Sequence, residues 1–369
     1  MEKIPFNKFN EFYLDHTKEI SEKLMFILES GKYLRDKETL QLEKEIAKLC
    51  KRNFAVSTSS CTDALYFALI TAGIKPQDEV ILPTFSYIST LTAILKCGAV
   101  PVFVDIDKHT LTLKTEGIEK FFTEKTRAIV FVQLFGHITD LRNLKETCNQ
   151  NNIILIEDSA QAIGASFEGF SGASFGDISC ISFDPTKLVS AYATGGIAVT
   201  DNEDYYKTLL KIIHHGRNEE GNFEILGFNS KISELSAFMI NMQLSQLDNT
   251  ISKMQRIANT YIGQLSKIKE VEIILPEPSC RSTWHKFVIL AQNRNQLREY
   301  LFKKGIETRI HYNPLLHEHL LLKNYNYKIT ELSQAEKLKN EVLSLPIYPG
   351  LKSEEINYIC ENIKNFYTL

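Results

Sequence analysis

The stretch NIILIEDSAQAIGASFEGFSGASFGDISCISFDPTKLVSAYATGGIAVT, residues 152–200, decides the fold of this chain. It contains two apolar runs, 153–157 and 178–183, each long enough for a buried strand and bounded by polar residues or glycine. Asp158 follows the first run directly, whereas Ser182 lies in the second run and Lys187 shortly after it. Ligands of a parallel α/β sheet bind beyond the carboxyl ends of its strands, so these three side chains are predicted to share one rim.

An acid, a hydroxyl and an amine at one rim suit pyridoxal phosphate. A lysine amine forms a Schiff base with the cofactor aldehyde, and a carboxylate keeps the pyridine nitrogen protonated so that the ring withdraws electrons. The hydroxyl is suited to the cofactor's phosphate. The sequence therefore predicts an enzyme in which Lys187 and Asp158 are catalytic and also bind the cofactor, together with Ser182.

Strand-like and helix-like segments alternate on both sides of this stretch. The alternation predicts an α/β protein with a largely parallel, doubly wound sheet, and with a charged helix after the third strand. The candidate strands are 53–57, 79–83, 100–106, 127–135, 152–157, 178–183 and 196–200.

The character of the sequence changes near residue 243. We predict a large cofactor-binding domain over 1–243, including an N-terminal helical arm, and a small α+β domain over 244–369. In the small domain we predict one long helix over 243–268, strands at 284–291 and 307–312, and other helices that include a closing one at 353–366.

Composition excludes several classes of partner. The 369 residues carry a formal net charge of -3 and scattered basic residues, which argues against nucleic acid or an anionic membrane as a partner. The seven cysteines show no paired spacing and predict free thiols. The N-terminus lacks an apolar signal core and no apolar run approaches about 20 residues, so we expect a soluble, cytoplasmic protein.

Two blocks closely resemble a known family. EDSAQAIGA and SFDPTK match the EDxAQAxGA and SFxxxK blocks of DegT/DnrJ-type aminotransferases, which act on nucleotide-linked keto sugars. The resemblance covers nearly the whole chain. It implies a fold-type I pyridoxal phosphate transferase: a mostly parallel seven-stranded sheet flanked by helices, a smaller C-terminal α+β domain, and a homodimer with shared active sites. Some relatives carry histidine in place of the lysine and perform dehydration, so Lys187 favours transamination.

The resemblance also assigns cofactor contacts. The turn STSSCTDAL at 57–65 places Cys61 and Thr62 beside the phosphate, where a helix N-terminus favours negative charge. In PTFSYISTLTAI the aromatic Tyr87 would stack on the pyridine ring, and the alternative is a core aromatic at a strand end. Gln161 would bind the ring oxygen of the cofactor.

Later motifs imply contacts with the partner subunit and the sugar. The segment GFNSKISE matches a family block in which Asn229 reaches the phosphate of the neighbouring subunit, although Lys231 stands where the family has arginine. The segment GIETRIHYNP implies sugar contacts by His311 and Tyr312. We predict no metal site, since the H-x-H spacing farther along this segment has no supporting acid or cysteine pattern.

The expected reaction follows from the family. L-glutamate would donate its amino group to a 3- or 4-keto-(di)deoxy sugar linked to a nucleoside diphosphate, giving an amino sugar nucleotide for surface polysaccharide or related glycans. The alternatives are a related sugar dehydratase, a cyclitol aminotransferase, or a catalytically silent protein that binds cofactor or sugar as a regulator.

Overall fold

A computed structural model describes residues 3–8 and 11–368. The helices are α1 Glu11–Asp15, α2 Thr17–Ser30, α3 Lys37–Leu49, α4 Cys61–Thr71, α5 Ile88–Lys96, α6 Arg142–Gln150, α7 Glu203–Ile212, α8 Glu234–Ser245, α9 Leu247–Leu265, α10 Arg294–Lys303, α11 Ser333–Leu338 and α12 Ser353–Thr368. The strands are β1 Phe54–Thr58, β2 Glu79–Pro83, β3 Val100–Val104, β4 Thr126–Val132, β5 Ile154–Asp158, β6 Ser166–Phe167, β7 Phe170–Ser171, β8 Ile178–Ser182, β9 Gly196–Thr200, β10 Val271–Ile273, β11 Cys280–Arg281, β12 Phe287–Ala291, β13 Lys328–Ile329 and β14 Val342–Leu345. Short 3₁₀ turns lie at Ile118–Phe121, Leu316–Glu318 and Leu320–Asn324.

The large sheet has the order β1-β9-β8-β5-β4-β2-β3-β13. Only β9 runs against its neighbours, pairing antiparallel with β1 and β8, so the described sheet is mostly parallel as predicted. All seven predicted strands are present. The sheet has eight strands rather than seven, because the two-residue strand β13 arrives from the C-terminal part of the chain and pairs with β3.

Helices cover both faces of this sheet because successive strand residues point to opposite sides. Val80 and Leu82 of β2 pack in a core shared with α4, α5 and α7. Ile81, between them, belongs to a second core on the other face with Leu144 of α6. The sheet is therefore doubly wound, and its carboxyl edge is left free for a binding site.

A separate core, distinct from those on the two faces of the large sheet, forms around the three-stranded sheet β10-β12-β14. Helices α9, α10 and α12 pack on it, and Ile4 joins it from the N-terminal segment. Leu247 and Ile251 of α9 pack with buried residues of β8 and β9 in the large sheet, whereas Met254 and the buried residues after it pack in the core around β10-β12-β14. The domain boundary near residue 243 stays a prediction.

Three predicted elements differ from the structure. The charged helix after β3 is only the short turn Ile118–Phe121, since Gly117 before it has a left-handed backbone (φ 67°). The long helix predicted over 243–268 is broken at Gln246, where φ is -109°. The strand predicted at 307–312 forms only an isolated bridge from Arg309, because the segment then turns its side chains toward the site described below.

The free thiols predicted from the cysteine spacing are present. All seven cysteines are free, and all but one are buried. Among the residues that the structure describes, no helix combines the length and the apolar character needed to cross a bilayer.

Candidate active site

The register of the sheet brings the predicted catalytic strand ends to one edge. Asp158 ends β5 and lies opposite Cys180 of β8, and Ser182 ends β8 opposite Gly196. Gly196 also pairs with Thr58, the last residue of β1. The carboxyl ends of β1, β5 and β8 therefore meet in one row, as the sequence predicted.

Asp158 is a buried carboxylate with two fixed hydrogen bonds. It is 4% exposed, Thr90 Oγ1 donates to its Oδ2 at 2.8 Å, and the Ala160 N–H donates to its Oδ1 at 3.2 Å. Burial raises the pKa of Asp158, while both hydrogen bonds and the charge of Lys187 oppose that rise. Such a carboxylate is suited to hold a buried positive charge.

Lys187 lies in the turn after β8, where its backbone N–H donates to the Asp184 carbonyl at 2.9 Å. Burial lowers the pKa of Lys187, and the negative charges of Asp158 and Asp184 oppose the shift. The amine therefore loses its proton more easily than a surface lysine does. A deprotonated amine is the form that acts as a nucleophile or a base.

The N-terminus of α4 offers free backbone donors. The Ser60 hydroxyl caps the helix by accepting from the Asp63 N–H at 3.1 Å. Within the described part of the chain, the N–H groups of Cys61 and Thr62 have no acceptor. Gly196 lies directly against this turn, and a Cβ at that position would meet the Cys61 backbone nitrogen and the Ser60 carbonyl. Two unpaired N–H groups at a helix N-terminus form a site for an anion.

The side chains of this turn have other roles. Burial raises the pKa of the Cys61 thiol well above its usual range, with the Asp158 charge adding to the rise, which argues against a thiolate nucleophile. Thr62 Oγ1 donates to Ser89 Oγ at 2.9 Å and thereby ties α4 to α5. The Ser182 hydroxyl accepts from the Asp184 N–H at 3.3 Å and keeps its own hydrogen available.

Tyr87 precedes the first residue of α5 and is 61% exposed. The alternative that it is a core aromatic is therefore wrong. An exposed aromatic ring near the end of β2 provides a flat surface on which a ligand ring can stack.

Gln161 connects three parts of the site. Its Oε1 accepts from the Phe135 N–H at 2.9 Å, and its Nε2 donates to the Tyr312 hydroxyl at 2.8 Å. The second hydrogen on Nε2 remains available to a ligand oxygen. Tyr312 is thus brought to the sheet edge, and burial raises the pKa of its hydroxyl so that it stays protonated. Its contact with a sugar stays a prediction.

His311 is a neutral imidazole beside Tyr312. Its Nδ1 lies 2.8 Å from Ser344 Oγ. Burial lowers its pKa to about 3, and the positive charges of Lys286, Lys187 and Arg309 add to the effect. At neutral pH His311 can therefore donate or accept a hydrogen bond without carrying charge.

Comparison with known proteins agrees with this geometry. The profile of the DegT/DnrJ/EryC1/StrS aminotransferase family matches residues 14–364. The chain belongs to this family. The enzyme class predicted from the EDSAQAIGA and SFDPTK blocks is thereby confirmed.

Two relatives of this aminotransferase carry names of different kinds, one of a regulatory protein and one of a transaminase. A "pleiotropic regulatory protein" of Geobacillus stearothermophilus is 31% identical over 366 residues, covering 99% of this chain and 98% of the relative. The dTDP-3-amino-3,4,6-trideoxy-alpha-D-glucose transaminase of Streptomyces venezuelae is 30% identical over 364 residues, covering 99% and 96%.

Two solved aminotransferase structures share the fold. DesV of S. venezuelae, solved with a ketimine intermediate, superposes with a TM-score of 0.94 at 30% identity and 99% coverage of both chains. NtdA of Bacillus subtilis, solved with the bound cofactor PMP, gives a TM-score of 0.92 at 27% identity, covering 100% of this chain and 86% of NtdA.

Asn229 lies outside the group of side chains at the sheet edge. It is exposed and follows α7, where its backbone bridges to His214. Burial lowers the pKa of His214, and the charges of Lys231 and Arg217 add to the shift, so cationic groups lie near the residue to which Asn229 bridges. That it reaches a phosphate in a partner subunit stays a prediction.

Sequence reasoning missed three functional or supporting residues of this aminotransferase. Thr90 fixes Asp158, and a hydroxyl one helical turn after Tyr87 was the available signal. Glu234 accepts from the backbone N–H groups of Asp36 and Thr39 and so caps the start of α3. Lys286, whose charge acts on His311, gave no signal in the sequence.

One cluster of potential metal ligands lies in the C-terminal part of the described chain: His317, Glu318 and Glu336. The Lys339 ammonium forms ion pairs at 2.5 Å with both carboxylates. His317 is held by Thr84 Oγ1 at 2.6 Å and by Glu336 Oε1 at 3.1 Å. Lys339 therefore supplies the positive charge that balances these two carboxylates.

Proposed function

We propose that this protein is a pyridoxal phosphate-dependent aminotransferase that moves the amino group of L-glutamate to a 3- or 4-keto-(di)deoxy sugar linked to a nucleoside diphosphate. The observation that carries the proposal is the row of groups along one sheet edge. The Lys187 amine, the buried Asp158 carboxylate and the free N–H groups that begin α4 have the chemistry that this cofactor requires.

The residues present fit the cofactor. The N–H groups of Cys61 and Thr62 and the Ser182 hydroxyl would hold its phosphate, where the helix N-terminus supplies positive potential. Asp158 would hold the protonated ring nitrogen, and Tyr87 would cover one ring face. When bound, pyridoxal phosphate supplies an electron-withdrawing ring that makes the hydrogen on the donor's α-carbon acidic.

Lys187 is suited to move that hydrogen. Its amine titrates below the range of an exposed lysine because burial disfavours the ammonium form. The carboxylate of Asp158 stays fixed by Thr90 and Ala160, so the opposite end of the site does not rearrange as the proton moves. Tyr312 and neutral His311 are uncharged hydrogen-bonding groups at the sheet edge, suited to the hydroxyls of a sugar.

We propose a homodimer with shared active sites. Large apolar side chains of α2 are exposed, including Met25 at 56% and Phe26 at 57%, and Leu226, near Asn229, is 80% exposed. Exposed large apolar side chains of this kind support burial against a second copy. Asn229 would then contribute to the partner's phosphate site, and the cationic groups near its bridge partner His214 support that role.

The expected product is an amino sugar nucleotide for surface polysaccharide or related glycan biosynthesis, made in the cytoplasm. Two features support this setting. The relative from S. venezuelae is named for an amino sugar nucleotide, and the seven thiols of this chain are free, as reducing compartments favour.

A spectroscopic half-reaction tests the proposed function. Protein loaded with pyridoxal phosphate should show a visible band that borohydride fixes at Lys187 and that L-glutamate removes. Lys187→Ala should lack the band while its far-UV circular dichroism stays that of the wild type. A wild-type protein that binds no cofactor, or whose band glutamate leaves unchanged, would contradict the proposal.

A silent regulator is the second candidate, and the name of the G. stearothermophilus relative favours it. Such a protein would bind cofactor or sugar without turnover. Lys187 and Asp158 are both in place and ionisable, which supports the enzyme instead. Multiple turnover with glutamate and a keto sugar nucleotide would exclude the regulator.

A further inference from the structure

Lys286 is a buried lysine to which the described residues offer no acidic partner. Its side chain belongs to the segment just before β12, and the residue is only 8% exposed. Within the described part of the chain no carboxylate lies within ion-pair distance of its Nζ, and the aromatic ring of Phe6 lies 5.1 Å away. Burying an ammonium group without a partner costs stability, so such a group is retained where it serves a ligand.

The backbone fixes Lys286 to the candidate active site. Its N–H donates to the Phe135 carbonyl at 3.2 Å, and the Phe135 N–H donates to Gln161 Oε1 at 2.9 Å. Gln161 in turn holds Tyr312. Nearby, Gly136 lies so close to the neighbouring segment that a Cβ would approach the His285 N–H at 2.6 Å. The position of Lys286 relative to the sheet edge is therefore set by main-chain contacts rather than by a flexible loop.

Positive charge predominates around Lys286. Burial lowers its pKa to about 7, and the charges of Lys187 and Arg309 add to the shift while Asp184 opposes it. Burial and the charge of Lys286 also lower the pKa values of His285 and His311. The charged groups that act on Lys286 are therefore two cations and one acid, a balance that favours an anion beside Lys286.

Two cations that differ in exposure lie near the same aromatic ring, Phe6. The Lys286 ammonium and the Arg309 guanidinium lie 5.1 Å and 5.7 Å from the centre of the same Phe6 ring. The Arg309 side chain is 54% exposed and is also 3.9 Å from a Glu307 oxygen. Arg309 therefore has an acidic partner, whereas Lys286 has none among the described residues and is the group better suited to bind a ligand's anion.

We propose that Lys286 binds a carboxylate of the amino donor. The inference rests on the proposed function, since it places the donor beside Lys187. The donor is favoured over the acceptor because Lys187 is close enough for its charge to act on Lys286, and a carboxylate is bonded directly to the donor carbon that must approach the Lys187 amine. The ion pair would neutralise the buried ammonium and orient the donor.

Binding of glutarate tests the inference without any reaction. This dicarboxylate has no amino group, so calorimetry can follow it with the protein as purified and again after loading with pyridoxal phosphate. Lys286→Met keeps most of the side-chain volume and should weaken glutarate binding at least about tenfold, the scale for truncating one partner of a buried charge pair. Lys286→Arg should restore part of the affinity.

Arg309→Met is the matched control, since it removes a positive charge near the same Phe6 ring at an exposed position. Arg309→Met should change the affinity for glutarate by less than about threefold, as expected for an exposed charge. Circular dichroism and thermal melts establish that each variant is folded. In the half-reaction, Lys286→Met should need more glutamate to remove the visible band but should reach nearly the same limiting rate.

Equal glutarate affinity in the wild type and Lys286→Met would overturn the inference, as would failure of the wild type to bind glutarate. Weaker binding of glucuronate with unchanged binding of glutarate would place an acceptor carboxylate there and would also overturn the donor assignment. Failure of the proposed function looks different: the visible band would be absent or insensitive to glutamate in the wild type, whatever the calorimetry shows.

Discussion

Removing the Thr90 hydroxyl should weaken the hold of Asp158 on the cofactor. Thr90 Oγ1 donates to Asp158 Oδ2 at 2.8 Å inside a fully buried environment, and Ser86 Oγ lies 3.0 Å behind it. Thr90→Val keeps the shape of the side chain but removes the donor. The carboxylate then keeps only the Ala160 N–H and the Lys187 charge against the effect of burial, which already raises its pKa.

The expected size follows from the kind of bond lost. A hydrogen bond to a charged group contributes about 1.5–3 kcal/mol. Since about 1.4 kcal/mol corresponds to a factor of ten, pyridoxal phosphate should bind about ten- to a hundredfold more weakly to Thr90→Val. The pKa of Asp158 should rise further, so the loss should be greater at acidic than at neutral pH.

Spectral titration of cofactor-free protein with pyridoxal phosphate measures this affinity across pH. Thr90→Ser is the matched control, because it keeps the hydroxyl and should bind the cofactor nearly as the wild type does. If Thr90→Val and Thr90→Ser bind equally well, the hydrogen bond does not support the ionised carboxylate and the reasoning is refuted.

Three further predictions test other parts of the account. In cofactor-free protein, the pKa of Lys286 is near 10.5 in the unfolded chain and about 7 in the folded protein. The free energy of unfolding should therefore rise as the pH increases from about 7 to 10.5. Urea unfolding should show a smaller rise in Lys286→Met, and an equal rise would refute the lowered pKa of Lys286. Tyr87→Ala should weaken cofactor binding up to about tenfold by loss of stacking, whereas Tyr87→Phe should not, and spectral titration would expose an error if both variants bound alike. Mixed dimers of Lys187→Ala and Asn229→Ala subunits should regain glutamate-dependent activity above either parent, because one site per dimer is intact; no gain would contradict shared sites.

The rim of the site was predictable from sequence because its determinants are local. Buried strands require short apolar runs, and polar residues directly after such runs must lie at the sheet edge. Asp158, Ser182 and Lys187 could therefore be placed together before any tertiary contact was known. Thr90 and Lys286 could not, since their roles depend on the packing of α5 and of the segment before β12 against that edge.

The elements that sequence reasoning missed are governed by tertiary contacts. The predicted strand at 307–312 forms one bridge instead of a ladder, because His311 and Tyr312 direct their side chains to Ser344 and Gln161. Glu234 appears in the sequence as one acid near the start of a helix, yet its carboxylate caps a different helix, α3. Neither outcome is encoded by periodicity within a single segment.

The half-reaction with both substrates tests the central claim most directly. Protein loaded with pyridoxal phosphate should lose its visible band when L-glutamate is added, and the band should return with one member of a panel of 3- and 4-keto nucleotide sugars. Return with a single keto sugar would establish the reaction and its regiochemistry together. Loss of the band with glutamate but no return with any nucleotide sugar would contradict the proposed acceptor, and a band that glutamate leaves unchanged would contradict the donor.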